Sequence, residues 1–187
     1  MMRLTRLAQV AVSERLVPGA FAVDATAGNG HDTVFLAEAV GPTGRVLALD
    51  IQAAAIRATR ARLDERGFAT RVDLVEGCHS GLAEILPGRP RIRAAMFNLG
   101  YLPGSDKQSI TRFATTRPAL EACLDCLERQ GIISVIAYRG HPGGDEEAST
   151  VGNFLGGLPA QRFSTERHAA PGDGPVLWLM RPANALN

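Results

Sequence analysis

The sequence predicts an α/β fold in which a mostly parallel β-sheet carries helices on both faces. Short apolar segments typical of buried strands alternate with segments of helical spacing, and glycine or proline stands at most of the boundaries. No repeat, linker or low-complexity tract interrupts the 187 residues, of which 45% are hydrophobic. A chain of this length and composition can bury one core, so we expect a single domain over residues 1–187.

The helices are predicted from apolar side chains that recur every three or four residues. Between Leu4 and Leu16 this spacing predicts an N-terminal helix, which ends before Pro18 and Gly19. Pro118 is expected in the first turn of its helix, where its missing N–H costs no hydrogen bond. The remaining helices are predicted over residues 31–40, 53–66, 80–86, 118–129 and 145–155.

Seven strands are predicted between and after these helices. They cover residues 20–25, 45–50, 71–76, 92–98, 131–138, 161–167 and 175–181. Right-handed crossovers between parallel strands bring their carboxyl ends to one edge of the sheet, where α/β folds bind ligands. We therefore expect the functional residues in the loops that follow the first five strands.

Composition and charge exclude several classes of protein. A net charge of +1 provides no broad positive surface for nucleic acid, so any such contact must be confined to a small basic patch. No apolar run approaches the roughly 20 residues that cross a bilayer, and the charged N-terminus lacks the apolar region of a secretion signal. Three cysteines, an odd number, argue against a disulfide framework. We expect a cytoplasmic protein with no membrane partner.

The strongest motif follows the first predicted strand and reads Val23-Asp-Ala-Thr-Ala-Gly-Asn-Gly-His-Asp-Thr33. Its two glycines allow a sharp turn and the close approach of a ligand. A dinucleotide site would carry glycine or alanine at position 33, but Thr33 stands there. The polar lining suits an amino-acid moiety beside a sulfonium better than a pyrophosphate. The predicted cofactor-binding residues of this loop are Asp24, Thr26, Gly28, Asn29, Gly30, Asp32 and Thr33.

Asp50 ends the second predicted strand, where an acidic residue accepts hydrogen bonds from both ribose hydroxyls of a nucleoside. Ile51 can cover an adenine face and Gln52 can form hydrogen bonds, while Cys78 and His79 are expected at the adenine edge. In a competing interpretation the glycines only make turns and Asp50 caps the next helix. The agreement of several features on one architecture favours nucleoside binding.

Four segments in order resemble the small YtqB/MnmM-type methyltransferases, over a range from about Val23 to Glu147. They are Asp24-Ala-Thr-Ala-Gly-Asn-Gly-His-Asp-Thr33, Asp50-Ile-Gln52, Asn98-Leu-Gly-Tyr-Leu-Pro-Gly104 with Asp106-Lys107, and Gly140-His-Pro-Gly-Gly144. The resemblance implies a Rossmann-like class I methyltransferase fold, S-adenosyl-L-methionine as cofactor and a homodimer. It further implies methylation of the aminomethyl nitrogen on the wobble uridine of certain tRNAs, which gives 5-methylaminomethyl-2-thiouridine.

Two segments depart from the family pattern. Arg139 stands where the family often carries histidine, so the role of that position is open. The segment 168–182 matches the pattern only loosely.

The segment that begins at Asn98 is similar to the Asn-Pro-Pro-Tyr loop of amino-group methyltransferases. By this similarity the Asn98 side-chain oxygen and the Leu99 carbonyl accept hydrogen bonds from the target nitrogen, Asn98 also borders the cofactor, and Tyr101 stacks on the pyrimidine. An alkylamine resembles lysine, with a pKa of about 10.4, so the site must bind or generate the neutral amine. His141, after the fifth strand, is expected to accept the proton or to orient the substrate; alternatively it is only a turn residue.

Three cations are expected around the mouth of the site, where they could hold phosphates of a tRNA anticodon stem-loop: Lys107, Arg112 and Arg139. For each one singly, a solvated surface charge is the alternative. Cys123 and Cys126 form a CxxC pair with no second ligand pair, so we expect core packing and no metal.

Two further functions stay open at this point. The substrate could be rRNA or a small amine instead of tRNA, or the chain could be a nucleoside-binding module without catalysis.

Overall fold

The computed structural model describes residues 3–100 and 111–183. These residues form seven strands: β1 Phe21–Asp24, β2 Arg45–Asp50, β3 Val72–Glu76, β4 Ile92–Leu99, β5 Leu127–Ala137, β6 Phe163–Ala169 and β7 Val176–Pro182. They also form six α-helices: α1 Leu4–Ser13, α2 His31–Ala39, α3 Ala53–Arg66, α4 Leu82–Ile85, α5 Phe113–Cys126 and α6 Gly144–Gly156. Two short 3₁₀ helices, Ala69–Arg71 and His79–Gly81, precede β3 and α4.

The seven strands make one sheet in the order β3-β2-β1-β4-β5-β7-β6. Strands β1 to β5 are parallel, and β7 runs antiparallel to both of its neighbours. The chain winds outward from β1 through β2 and β3, then returns to β4 beside β1 and winds the other way. Such a reversal leaves a crevice at the carboxyl ends of the two central strands, where doubly wound sheets bind nucleotides. The predicted Rossmann-like fold is confirmed.

Both faces of the sheet are buried, which is why its central strands read as continuous apolar runs. On one face, Phe21 and Val23 pack with apolar residues of α4, α5 and α6, including Leu120 and Val151. On the other face, Ala22 packs with residues of α1, α2 and α3. The helices therefore hold the strands from both sides and fix the relative positions of the loops at the carboxyl edge.

The helix predicted over residues 118–129 was placed wrongly at both ends. It begins at Phe113, because the Arg112 carbonyl accepts the first hydrogen bonds, from the N–H groups of Thr115 and Thr116. Pro118 therefore lies inside the helix, where it removes one hydrogen bond to a carbonyl four residues earlier. Residues 127–129 belong to β5, whose first part bulges where its register with β4 shifts. The other predicted boundaries agree with the structure to within a few residues.

Cys123 of α5 is fully buried in the core, and burial raises the pKa of its thiol. Within the described ranges, no three side chains of His, Cys, Asp or Glu are placed to hold a metal ion. No helix of residues 3–100 and 111–183 has the length and apolarity required to cross a bilayer.

Candidate active site at the carboxyl edge of the sheet

The carboxylate of Asp24 supports the loop after β1 from below. It is fully buried; Oδ1 accepts a hydrogen bond from the Thr26 N–H at 3.2 Å, and Oδ2 accepts one from the Thr33 hydroxyl at 2.6 Å. Burial first, and then the nearby charge of Asp32, raise the pKa of Asp24 to about 7. Asp24 and Thr33, both predicted to bind cofactor, are thus bonded to each other beneath the loop, and their contact with a cofactor stays a prediction.

The glycine loop is packed against helix α3. Gly30 has φ 79°, and a Cβ there would lie 2.9 Å from the Thr59 Cα, so close packing as well as the turn requires glycine. The Thr59 hydroxyl donates to the Gly28 carbonyl at 3.1 Å, and Arg62 Nε donates to the Asn29 carbonyl at 2.9 Å. Helix α3 therefore sets the shape of the loop in which cofactor contacts are predicted.

The carboxylate of Asp50 connects the loops that follow β1 and β2 at the carboxyl edge of the sheet. Its Oδ2 accepts a hydrogen bond from the Gly28 N–H and its Oδ1 accepts one from the Gln52 N–H, both at 2.9 Å. A carboxylate oxygen has a second lone pair, so both oxygens can still accept from ribose hydroxyls. Ile51 beside it is 52% exposed, so its apolar side chain is accessible to a ligand in the crevice.

The ring of His79 lies in the interior beneath the β1 loop. It is 6% exposed and meets Phe97 edge-on with 6.2 Å between the ring centroids. Burial lowers the pKa of His79, an effect that the charge of Asp50 opposes. Cys78 beside it is partly exposed, and the cofactor contacts predicted for Cys78 and His79 stay predictions.

Asn98 at the end of β4 is held in one orientation. Its backbone N–H donates to the Thr26 hydroxyl at 2.7 Å, and its side-chain Nδ2 donates to Asp32 Oδ2 at 2.7 Å. The other Asp32 oxygen accepts a hydrogen bond from Gln9 Nε2 of α1 at 2.8 Å. Since Nδ2 faces Asp32, the amide oxygen Oδ1 faces away from it, and no side chain in the described ranges donates a hydrogen bond to Oδ1.

Gly100 and Thr111 are joined by two hydrogen bonds. The Gly100 N–H donates to Thr111 Oγ1 at 2.8 Å, and the Thr111 N–H donates to the Gly100 carbonyl at 3.0 Å. A Cβ on Gly100, which has φ 152°, would lie 3.2 Å from the Tyr138 Cβ and 3.6 Å from His141 Nε2. The ends of β4 and β5 therefore meet closely, and His141 lies on the same edge as Asn98.

The Leu99 carbonyl was predicted to accept a hydrogen bond from the target nitrogen. It already accepts one from the Tyr138 N–H at 2.9 Å, so the Asn98 amide oxygen is the more available acceptor. Tyr138 itself is 37% exposed, and burial of its hydroxyl together with the charge of Asp32 raises its pKa. Its phenol thus lies near the Asp32–Asn98 pair.

The two described arginines predicted at the mouth differ in their contacts. Arg112 is exposed at the start of α5. Arg139 donates to the carbonyls of Gly172 and Gly174, which ties the loop after β5 to the turn between β6 and β7. Those carbonyls carry no net charge, so these two contacts do not neutralise the guanidinium charge of Arg139. Tyr101 and Lys107, also predicted here, lie outside the described residues.

Residues 46–172, more than half of the chain, match the model of a family described as "Putative rRNA methylase". The chain belongs to this rRNA methylase family. Its structure is similar to a solved "putative rRNA-methylase" from Clostridium thermocellum, with a TM-score of 0.93, 34% identity, and coverage of 97% of this chain and 98% of that one.

Two further relatives carry more specific names. A "putative methyltransferase" from Streptococcus mutans, solved in complex with SAH, has a TM-score of 0.87 and 33% identity over 97% of this chain and 99% of that one. A protein of Arabidopsis thaliana named "tRNA (mnm(5)s(2)U34)-methyltransferase, chloroplastic" is 41% identical over 165 residues, or 84% of this chain. The chain spans 60% of that relative's length. The family resemblance inferred from the four motifs is confirmed.

In this member of the rRNA methylase family, several residues without a sequence motif also border the site. Gln9 of α1 donates a hydrogen bond to Asp32. In the sequence it is one polar residue beside the apolar stripe of that helix, which is too weak a pattern to predict a role in the site. Tyr138 directly follows β5, next to the predicted residues Arg139 and His141. Glu147 is a buried carboxylate on α6, only 6% exposed, that bonds Thr111. Its partners are far away in the sequence, so no local pattern could have indicated it.

Proposed function

We propose that this protein transfers a methyl group from S-adenosylmethionine to the aminomethyl nitrogen of 5-aminomethyl-2-thiouridine at the wobble position of tRNA. The observation that carries the proposal is the fixed Asn98 amide, whose oxygen faces away from Asp32 at the same sheet edge as the Asp50 carboxylate. The name of the Arabidopsis relative and the SAH bound by the Streptococcus mutans protein support the substrate and the cofactor respectively.

The residues of the crevice fit such a cofactor. Asp50 offers two acceptor oxygens for ribose hydroxyls, and the exposed side chain of Ile51 offers an apolar surface for adenine. Asp24, Asp32 and Asp50 together give the crevice a negative potential, which favours a sulfonium and an ammonium over a pyrophosphate. When bound, S-adenosylmethionine supplies an electrophilic methyl group.

The chain then has to present a neutral amine in line with that methyl group. Asn98 Oδ1 accepts a hydrogen bond from the amine N–H, and this directs the nitrogen lone pair toward the methyl donor. Asp32 prevents the amide from rotating, because rotation would turn Oδ1 toward a carboxylate. His141 orients the substrate or takes up the proton that the amine loses.

The RNA contacts, the assembly and the compartment are parts of the same proposal. The exposed Arg112 and the guanidinium of Arg139 bind phosphates of the anticodon stem-loop, together with Lys107, and Tyr101 stacks on the target base. A homodimer would double the positive surface that a chain of net charge +1 offers to RNA. Three free cysteines favour the cytoplasm.

The decisive experiment gives the purified protein S-adenosylmethionine and tRNA that carries the aminomethyl nucleoside. Digestion and mass spectrometry should detect one added methyl group on that nucleoside. Parallel reactions receive rRNA or a free alkylamine in place of the tRNA. Methylation of the rRNA or of the free amine, with none on the tRNA, would show that the substrate is that alternative and not tRNA. Cofactor binding without any turnover would indicate a non-catalytic module.

A further inference from the structure

Glu147 is a buried carboxylate that the proposed transfer step does not use. It lies in the first turn of α6 and is 6% exposed, among the few polar side chains that the described part of the chain buries. Burial raises the pKa of Glu147, and hydrogen bonds from two hydroxyl groups oppose that shift. Since burial of a carboxylate destabilises a fold unless it is well bonded, its contacts indicate what it holds in place.

The first contact of Glu147 leads to the end of β4. Its Oε2 accepts a hydrogen bond from the Thr111 hydroxyl at 2.7 Å, and Thr111 Oγ1 accepts one from the Gly100 N–H at 2.8 Å. A hydroxyl has one proton, so donation to the carboxylate turns its lone pairs toward Gly100. Gly100 follows Asn98 by two residues, so this chain of hydrogen bonds fixes the backbone that continues from Asn98.

The second contact of Glu147 leads to the buried ring of His79. Glu147 Oε1 accepts a hydrogen bond from the Thr116 hydroxyl at 3.3 Å, and Thr116 Oγ1 lies 3.5 Å from His79 Nε2. Through Thr111 and Thr116, one carboxylate is therefore connected to the segments that follow β4 and β3.

We propose that Glu147 is a positioning residue for methyl transfer, which fixes the backbone of Asn98–Gly100 through the hydroxyl of Thr111. The proposal rests on the proposed methyltransferase function. Glu147 touches neither substrate nor cofactor. It acts by accepting the proton of the Thr111 hydroxyl, which turns the lone pairs of that hydroxyl toward Gly100. The two carboxylate oxygens accept from the hydroxyls of Thr111 and Thr116, whereas the single oxygen of a glutamine amide could accept from only one of them.

The test compares Thr111→Val, which removes the hydroxyl at constant shape, with Thr111→Ser, which keeps it, and adds Glu147→Gln. We expect Thr111→Val and Glu147→Gln to lower kcat on the tRNA by about tenfold or more, the effect of one lost hydrogen bond to a charged group. SAH affinity by calorimetry should stay within about twofold, and Thr111→Ser should keep near-wild-type kcat. The double variant should be no worse than its more severe single variant, because both break one chain of bonds.

Thr115→Val is the matched control, because its hydroxyl donates only to the Arg112 carbonyl in the same segment. Its kcat should equal that of the wild type. Equal losses of kcat and SAH affinity in Glu147→Gln, with no recovery in Thr111→Ser, would show a merely structural role and overturn the proposal. If Glu147→Gln does not fold, the comparison of kcat between Thr111→Val and Thr111→Ser still tests the positioning role.

Amide hydrogen exchange at Gly100 separates this proposal from the proposed function. Exchange should accelerate by about tenfold in Thr111→Val and Glu147→Gln, because the Gly100 N–H loses an oriented acceptor. A wild-type protein that methylates no tRNA would refute the proposed function and leave the exchange measurement valid. Unchanged exchange at Gly100 in both variants would refute the positioning role, whatever the activity.

Discussion

The two sides of the crevice are held by different kinds of contact. On the nucleoside side, defined by Gly28–Gly30 and Asp50–Gln52, backbone N–H groups donate to one carboxylate, and helix α3 packs against the loop. On the transfer side, defined by Asn98–Gly100, Thr111 and Glu147, side chains bond mainly to other side chains. The nucleoside side should therefore depend on a few residues with special backbone roles, whereas the transfer side should be sensitive even to isosteric changes.

The largest effect is expected at Asn98, where the difference between the two sides should be sharpest. Asn98→Ala removes the oriented amide oxygen and should lower kcat by about 10²- to 10³-fold, as loss of one preorganised polar group does in other active sites. The Asp50 site is untouched, so SAH affinity should remain within a few-fold of wild type. Steady-state kinetics and calorimetry measure the two quantities. A variant that loses both together would show that the two sides are not separate.

Asp50 should give the opposite result. Asp50→Ala removes two acceptors for the ribose and two anchors of the loops, so SAH affinity should fall by about 100-fold or more. Asp64→Ala, on the exposed face of α3, is the control and should leave affinity unchanged. If Asp50→Ala binds SAH normally, the crevice beside Asp50 does not hold the nucleoside, and the assignment of the nucleoside side is wrong.

Gly30 tests how much of the nucleoside side depends on packing instead of ligand contact. Gly30→Ala adds a Cβ at a positive φ and 2.9 Å from the backbone of Thr59, so it should destabilise the protein by about 2–4 kcal/mol. Gly67→Ala adds one at φ 70° with nothing within 4 Å, and should cost only the backbone strain of about 1–2 kcal/mol. Chemical denaturation of both variants measures the difference. Equal losses of unfolding free energy in the two variants would mean that α3 moves to accommodate the added Cβ, and that its packing does not shape the loop.

The same contrast explains what could be predicted from the sequence. The limits of β2 and α3 were predicted correctly because Asp50 and Gly67 mark their ends locally. The predicted start of α5 is wrong because Pro118 is typical of a first helical turn, whereas Arg112, which precedes the helix, forms no side-chain cap that a sequence could signal.

On the nucleoside side, the loop and its acidic partner stand at a spacing that many nucleoside sites share, so its candidate residues could be named. On the transfer side, Asn98 bonds Asp32 across 66 positions and Thr111 bonds Glu147 across 36. Contacts at such distances leave no pattern in a single sequence. Glu147 and Gln9 could therefore be found only once the fold had brought their partners together.

The smallest effect is expected from the charge of Asp24, and it concerns the nucleoside side alone. The pKa of Asp24 is raised to about 7, so the carboxyl is largely neutral at pH 6 and largely ionised at pH 8. S-adenosylmethionine carries a sulfonium charge that SAH lacks, while both share the amino and carboxyl groups, whose own titration cancels in a ratio of affinities. The preference for S-adenosylmethionine over SAH should therefore rise by a few-fold between pH 6 and pH 8.

Calorimetry with both ligands at pH 6 and pH 8 measures this preference. The variant Asp24→Asn should remove the rise while keeping hydrogen-bonding atoms for Thr26 and Thr33. A rise of equal size in Asp24→Asn would assign the titration to another group and separate Asp24 from sulfonium recognition.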